Sequence, residues 1–139
     1  MNTILNYVSK DLIMDIPMQQ EFAEMAVALI SGENVIVGRK TFEQDMQEIP
    51  VPNAKQFILS RSHKFKGVKS VDSPEKFPGG YVLGGRSTIA SFMPYAKFMI
   101  LGVDNKEMTY GTMFPSLSDW YLAEMSEYEG FDFNLYIKK

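Results

Sequence analysis

At 139 residues, 45% of them hydrophobic, the chain is long enough to enclose a real core and too short for two comfortable domains, so residues 1–139 are expected to form one. A net charge of −3 with 14 scattered basic residues argues against a surface built for nucleic acid or anionic lipid and leaves small molecules as partners. The absence of cysteine removes disulfides, thiol nucleophiles and thiolate metal sites; no stretch approaches the roughly 20 apolar residues of a membrane span, so a soluble, unprocessed, cytoplasmic monomer is expected.

In chain order, short apolar strands alternate with helices. Thr3 to Val8 reads as a first strand, and Pro17 sits where the first turn of a helix tolerates it. Phe22, Met25, Ala26 and Leu29 then recur at helical spacing until Ser31-Gly32 ends the run. At 100° per residue Glu24 falls opposite this stripe, whereas Glu21 lies on its margin and is expected to border the core. Asn34 to Val37 is a short strand ending in Gly38-Arg39-Lys40-Thr41, a probable helix start where two cations stand unfavourably in the helix dipole unless an anion is near. After a loop with Pro50 and Pro52, a strand Gln56 to Leu59 ends in Ser60-Arg61.

His63, the only histidine, sits in a basic turn and reads as solvated rather than catalytic. A short strand Val68 to Val71 and a one-turn helix near Ser73-Pro74-Glu75 follow. Tyr81-Val82-Leu83 is then a buried strand running into Gly84-Gly85 and a helix through Arg86, Ser87, Thr88 and Ile89, closing at Pro94. The missing side chains let another group approach the backbone, and Ser87 or Thr88 is placed to cap the helix. A Gly-Gly pair by itself is more often a tight turn. Phe98 to Val103 is a further strand, and Trp120 to Tyr128 with Phe131 to Tyr136 forms an antiparallel hairpin, the last strand alternating Phe131, Phe133, Leu135 and Ile137 against Asp132, Asn134 and Lys138.

Strands separated by helices imply right-handed parallel crossovers, and the runs Val35 to Val37 and Val82-Leu83 are what strands covered on both faces look like. Ligands gather at the carboxyl ends of such strands. Gly38 to Thr41, Ser60-Arg61 and Gly84 to Thr88 all occupy that position, and three anion-facing corners suit a dinucleotide carrying a pyrophosphate and one further phosphate.

The order and spacing of Val35-Ile-Val-Gly-Arg-Lys-Thr-Phe-Glu43, Phe57-Ile-Leu-Ser-Arg61, Tyr81-Val-Leu-Gly-Gly85, Phe92-Met-Pro94 and Phe114-Pro115 before a tryptophan hairpin resemble the dihydrofolate reductase family from about residue 20 onward. The resemblance implies an α/β fold: an eight-stranded, mostly parallel sheet with an antiparallel C-terminal hairpin and about four short helices. It implies NADPH as cofactor and no metal. Arg39, Arg61 and Ser60 resemble the pocket for the 2′-phosphate, which Arg holds well. Gly38, Lys40 and Thr41 resemble one side of the pyrophosphate site, and Leu83 to Thr88 the other, across a Gly84-Gly85 bond that is cis in the family. Glu21 resembles the carboxylate that holds the pterin and biases its protonation; such a group beside an apolar pocket has a raised pKa. Leu5, Met18, Phe22, Met25, Met46 and Lys55 are implied around the substrate.

Four departures fall on the substrate side. Met18 stands where the family has a tryptophan, Ala54 where an arginine grips the folate tail, Gly102 where a threonine buttresses the carboxylate, and Ile89 where a tyrosine flanks the nicotinamide. The segment between the first strand and Pro17 is also several residues short. Reduction of dihydrofolate is the expected activity; reduction of another pteridine or flat heterocycle, or a silent nucleotide-binding or structural relative, are the alternatives.

Overall fold

A computed structural model describes residues 1–46, 53–62 and 65–139; the expectations for His63, for the Pro50 and Pro52 loop and for the side chain of Met46 fall outside the described residues. The strands are β1 (Asn2–Val8), β2 (Asn34–Gly38), β3 (Lys55–Leu59), β4 (Lys69–Val71), β5 (Gly80–Gly84), β6 (Ala96–Asp104), β7 (Trp120–Tyr128) and β8 (Phe131–Lys138). The helices are α1 (Gln20–Ile30), α2 (Arg39–Thr41, continued by a π turn over Phe42–Met46) and α3 (Arg86–Phe92, continued by a 3-10 turn), with a further 3-10 turn at Pro74–Lys76. The strands form one sheet in the order β4-β3-β2-β5-β1-β6-β8-β7. Neighbours from β4 to β6 are parallel, and β8 runs antiparallel to both β6 and β7. This is the mixed sheet expected from the sequence.

Alternation places side chains on the two faces. Ile4 and Val8 of β1 pack with Ile36, Val82, Ile89 and Phe92 on the side of α3, while Leu5 and Tyr7 pack with Phe22, Ile30, Val35 and Phe131 on the side of α1. Val35, Ile36 and Val37 are all fully buried, each worth about 1.5–3 kcal/mol of transfer free energy, which is why β2 reads as an unbroken apolar run.

Three local expectations change. Helix α1 begins at Gln20, so Pro17 lies ahead of its first turn rather than in it. Helix α3 takes Gly85 as its N-cap with no side-chain bond, and Thr88 is buried in the helix rather than capping it. Asn134, on the polar side of the alternation in β8, is buried opposite Leu101 of β6, and its side-chain amide donates to the Tyr136 hydroxyl at 3.4 Å.

Candidate functional site

The register sets three strand ends side by side. Gly38 pairs with Leu59 of β3, and Val37 with Gly84 of β5, so Ser60-Arg61, Gly38-Arg39 and Gly84-Gly85 leave adjacent strands at one edge of the sheet, about 5 Å apart strand to strand. The peptide bond between Gly84 and Gly85 is cis. A β-carbon at Gly85 would stand 3.1 Å from Thr41 Oγ1, and one at Gly38 would run into Thr88 Oγ1, so each threonine is seated against the other loop's glycine. Two helix starts are thereby drawn together, each with a threonine packed on the other's glycine.

Beside it lies a cleft of about 250 Å³ walled by Ser60, Arg61, Ser62, Ser70, Asp72 and Lys76. Lys76 Nζ is 2.8 Å from Asp72; this contact and the charge behind it hold the Asp72 carboxyl below, and the Lys76 ammonium above, their ordinary values. Arg61 and Lys76 against one carboxylate leave the cleft net positive. Arg39 contacts Glu43 at 2.9 Å on the surface, Lys40 and Ser87 are exposed, and Arg86 Nε donates to the carbonyl of Met113 at 2.7 Å, tying α3 to the segment ahead of β7.

The substrate-side residues are less gathered. Leu5 and Phe22 are buried beneath α1 with Met25 half-buried beside them. Met18 is exposed at the rim of a second cleft. Lys55 opens β3 opposite Asn34, at the end of the sheet away from the three strand tips, and Ala54 packs into the α1-side core. Glu21, expected on the core margin, is exposed. The residue that α1 turns inward is Phe22, 1% exposed, because a start at Gln20 directs the stripe Phe22, Met25-Ala26 and Leu29-Ile30 to the sheet and leaves Glu21 a full 100° off Phe22.

Gly102 has a direct role in this. A β-carbon there would stand 2.7 Å from Phe22 Cδ1 and Cε1 and closer still to Tyr7, so the missing side chain makes room for two rings. Tyr7 and Phe22 pack at 5.0 Å between centroids, with Phe131 at 6.1 and 5.8 Å. Ile89 is fully buried in the opposite core.

Sequence reasoning missed Tyr7 and Asp104. The Tyr7 hydroxyl donates to Asp104 Oδ2 at 2.6 Å, and the backbone N–H of Lys106 donates to Oδ1 at 2.9 Å. Burial, then the bond to Asp104, pushes the Tyr7 hydroxyl well above the ordinary tyrosine range. Asp104 lines the second cleft, about 360 Å³, with Ile16, Pro17, Met18, Gln19, Gln20, Lys106 and Met108. The available signal was a lone acid closing the apolar run of β6.

A doubly covered α/β sheet with glycine-marked tips at its carboxyl edge is the class defined by this geometry. The chain belongs to the dihydrofolate reductase family: the family model described as Dihydrofolate reductase matches residues 8–136. Membership supports an oxidoreductase of dihydrofolate reductase type. No curated protein matches the chain. Among the described residues no helix is long and apolar enough to cross a membrane.

Proposed function

We propose that the chain reduces 7,8-dihydrofolate to tetrahydrofolate with NADPH, acting as a single-domain monomer in the cytoplasm. When bound, NADPH supplies a hydride for pterin C6. The observation that carries this reading is the adjacency of the three strand tips, with a net-positive cleft on one side and glycine backbone on the other. Gly38 and Gly85 let Thr88 and Thr41 close against the backbone of the opposing loop, which brings the two helix starts together beside the strand tips. Arg61, with Arg39 and Ser60, is assigned to the 2′-phosphate; Lys40, Thr41 and residues 85–88 to the pyrophosphate. What the protein contributes beyond binding is to hold two flat rings face to face, exclude water and steer one proton to pterin N5.

A second reading, a reductase of a pteridine without a glutamate tail, is favoured by two observations. Ala54 offers no charge, and Lys55 stands at the far end of β3 from the cofactor tips. The test follows the NADPH absorbance band with dihydrofolate and with a tail-less dihydropterin. Turnover of both at similar efficiency supports the second reading, preference for dihydrofolate supports the first, and NADPH binding without turnover of either refutes both.

A further inference from the structure

The inner face of α1 carries Phe22 and its nearest acid, Glu21, is in solvent, yet an acid lies buried on the next strand over from β1. Asp104 is 6% exposed, and its hydrogen-bond partners are one hydroxyl and one backbone amide. An ionised carboxylate accepts about four hydrogen bonds, and taking it out of water with only two, and with no ion pair to it among the described residues, is costly. Asp104 lines a cleft whose apolar walls are Ile16, Pro17, Met18 and Met108 and whose polar groups are Gln19, Gln20 and the exposed Lys106. Two flexible thioethers over an acceptor floor suit a flat ring with N–H donors along one edge.

The strand geometry connects this cleft to the cofactor tips. Strand β1 lies between β5 and β6; its ladder with β5 stops at Ile4 and Val82, while its ladder with β6 continues to Val8 and Val103. Beyond Ile4 a fork therefore opens between β1 and β5, bridged by Asn6 Nδ2 donating to the carbonyl of Leu83 at 2.8 Å, next to Gly84-Gly85. Tyr7 follows Asn6 directly and reaches to the other side of β1 to hold Asp104. The fork and the carboxylate thus flank the carboxyl end of a single strand, where ligands of parallel sheets collect.

We propose that Asp104 is the carboxylate that anchors the substrate, in place of Glu21, and that the ligand it takes is a bicyclic heterocycle presenting an amino group beside a ring N–H, as the pyrimidine edge of a pteridine does. This rests on the reductase reading for the identity of the ring but not for the site, since binding is measured apart from turnover. Tyr7 is a positioning residue: it fixes the carboxylate and does not touch the ligand.

The experiment titrates 7,8-dihydropterin, and separately NADPH, into wild type, Glu21→Gln, Asp104→Asn and Met108→Lys, following each by calorimetry. Met108→Lys leaves the buried acid in place and adds, from a half-buried position, a second cation beside the exposed Lys106 already at the cleft, so a folding defect at Asp104 does not decide the result. Asp104→Asn and Met108→Lys are each expected to weaken dihydropterin at least tenfold while NADPH affinity stays within twofold, and Glu21→Gln to bind as wild type. Tyr7→Phe is expected to raise KM for the pteridine more than it lowers kcat. Loss confined to Glu21→Gln, unchanged binding by both cleft variants, or no dihydropterin binding by wild type overturns the proposal. Tight dihydropterin binding that depends on Asp104, without NADPH oxidation, upholds it and refutes the reductase reading instead.

Discussion

Replacing Gly102 with alanine tests whether the aromatic cluster under α1 is a packed and fixed object. The added carbon falls 2.7 Å from two atoms of the Phe22 ring and nearer still to Tyr7, whereas carbon atoms rest at about 3.5–4.0 Å, so both rings must retreat by roughly 1 Å. Neither has room: Phe22 is enclosed by Tyr7, Phe131 and Phe133 at centroid distances of 5.0, 5.8 and 6.1 Å. Overpacking of this kind costs about 1–3 kcal/mol, and two displaced rings place Gly102→Ala at the upper end. An unfolding entropy of about 2.1 cal/mol/K per residue over 139 residues makes each kcal/mol worth roughly 3 °C, hence a fall in Tm on the order of 7–10 °C by calorimetry. In a Phe22→Leu background the same substitution should cost less, giving a coupling of at least about 0.5 kcal/mol. An unchanged Tm, or strict additivity of the two substitutions, would refute the packing argument.

Arg61→Ala is expected to weaken NADPH by about 10- to 100-fold while leaving NADH nearly unchanged, the loss of a charge-assisted bond to the extra phosphate; equal losses for both cofactors would remove Arg61 from that role. Gly38→Ala should lower Tm because its β-carbon meets Thr88 Oγ1, and Thr88→Ala should recover much of the loss; a first variant that melts like wild type contradicts the close approach of α2 and α3. Alkaline stability should report Tyr7. Its folded pKa lies above the ordinary value of about 10, so the folded chain keeps a proton that the unfolded chain releases, and stability is full below about pH 10 and declines above it. Tyr7→Phe should flatten the fall of Tm between pH 9 and 11, leaving a smaller slope from Tyr81, raised by burial, and Tyr95, raised by its bond to Glu75. An identical pH profile would show that the Tyr7 hydroxyl is not buried as described.

The three glycine- and serine-marked strand tips were legible because their information is local. A run such as Val35 to Val37 announces a strand covered on both faces, and glycine directly after it needs no distant residue to explain it. Even the pairing of Gly38 with Thr88 and of Gly85 with Thr41 joins elements that each carry their own signal. Around α1 the phase was legible, since Phe22, Met25, Ala26 and Leu29 turn to the sheet as their spacing says, but how far the core extends at the margin of that stripe was not. Glu21, expected to border the core from that margin, is exposed, and what covers the margin depends on the segment after β1, whose contacts are with residues more than 80 positions away. Tyr7 and Asp104, 97 residues apart, meet only because β6 inserts beside β1. Asn134 lies on the side of β8 that its alternation gives, but its burial there opposite Leu101 comes from pairing with β6 and is announced by nothing in β8 itself.

The shortened segment between β1 and α1 completes the argument for the cleft. Lys10 N–H bonds to the carbonyl of Lys106, Met14 N–H to Thr112 and Phe114 N–H to Leu12, at 2.8–2.9 Å, and Ile13 bridges Met113. Asp11 accepts from the Met108 amide and the Ser9 hydroxyl, which together hold its carboxyl below the usual range. Ser9, fully buried, also accepts from the Ile13 amide. These bonds stitch residues 9–14 to 106–114 along their length, so what a longer connection could offer as a free flap is here one wall of a two-stranded ribbon. The amide that binds Asp11 belongs to Met108, which lines the cleft, and the ribbon begins two residues past Asp104, whose carboxylate accepts the Lys106 amide. The same stitching that removes freedom from the segment therefore fixes the walls around the buried carboxylate. Preorganised walls lower the ordering cost of binding, which suits a small site that selects its ligand with one buried acid, two thioethers and the polar groups of Gln19, Gln20 and Lys106.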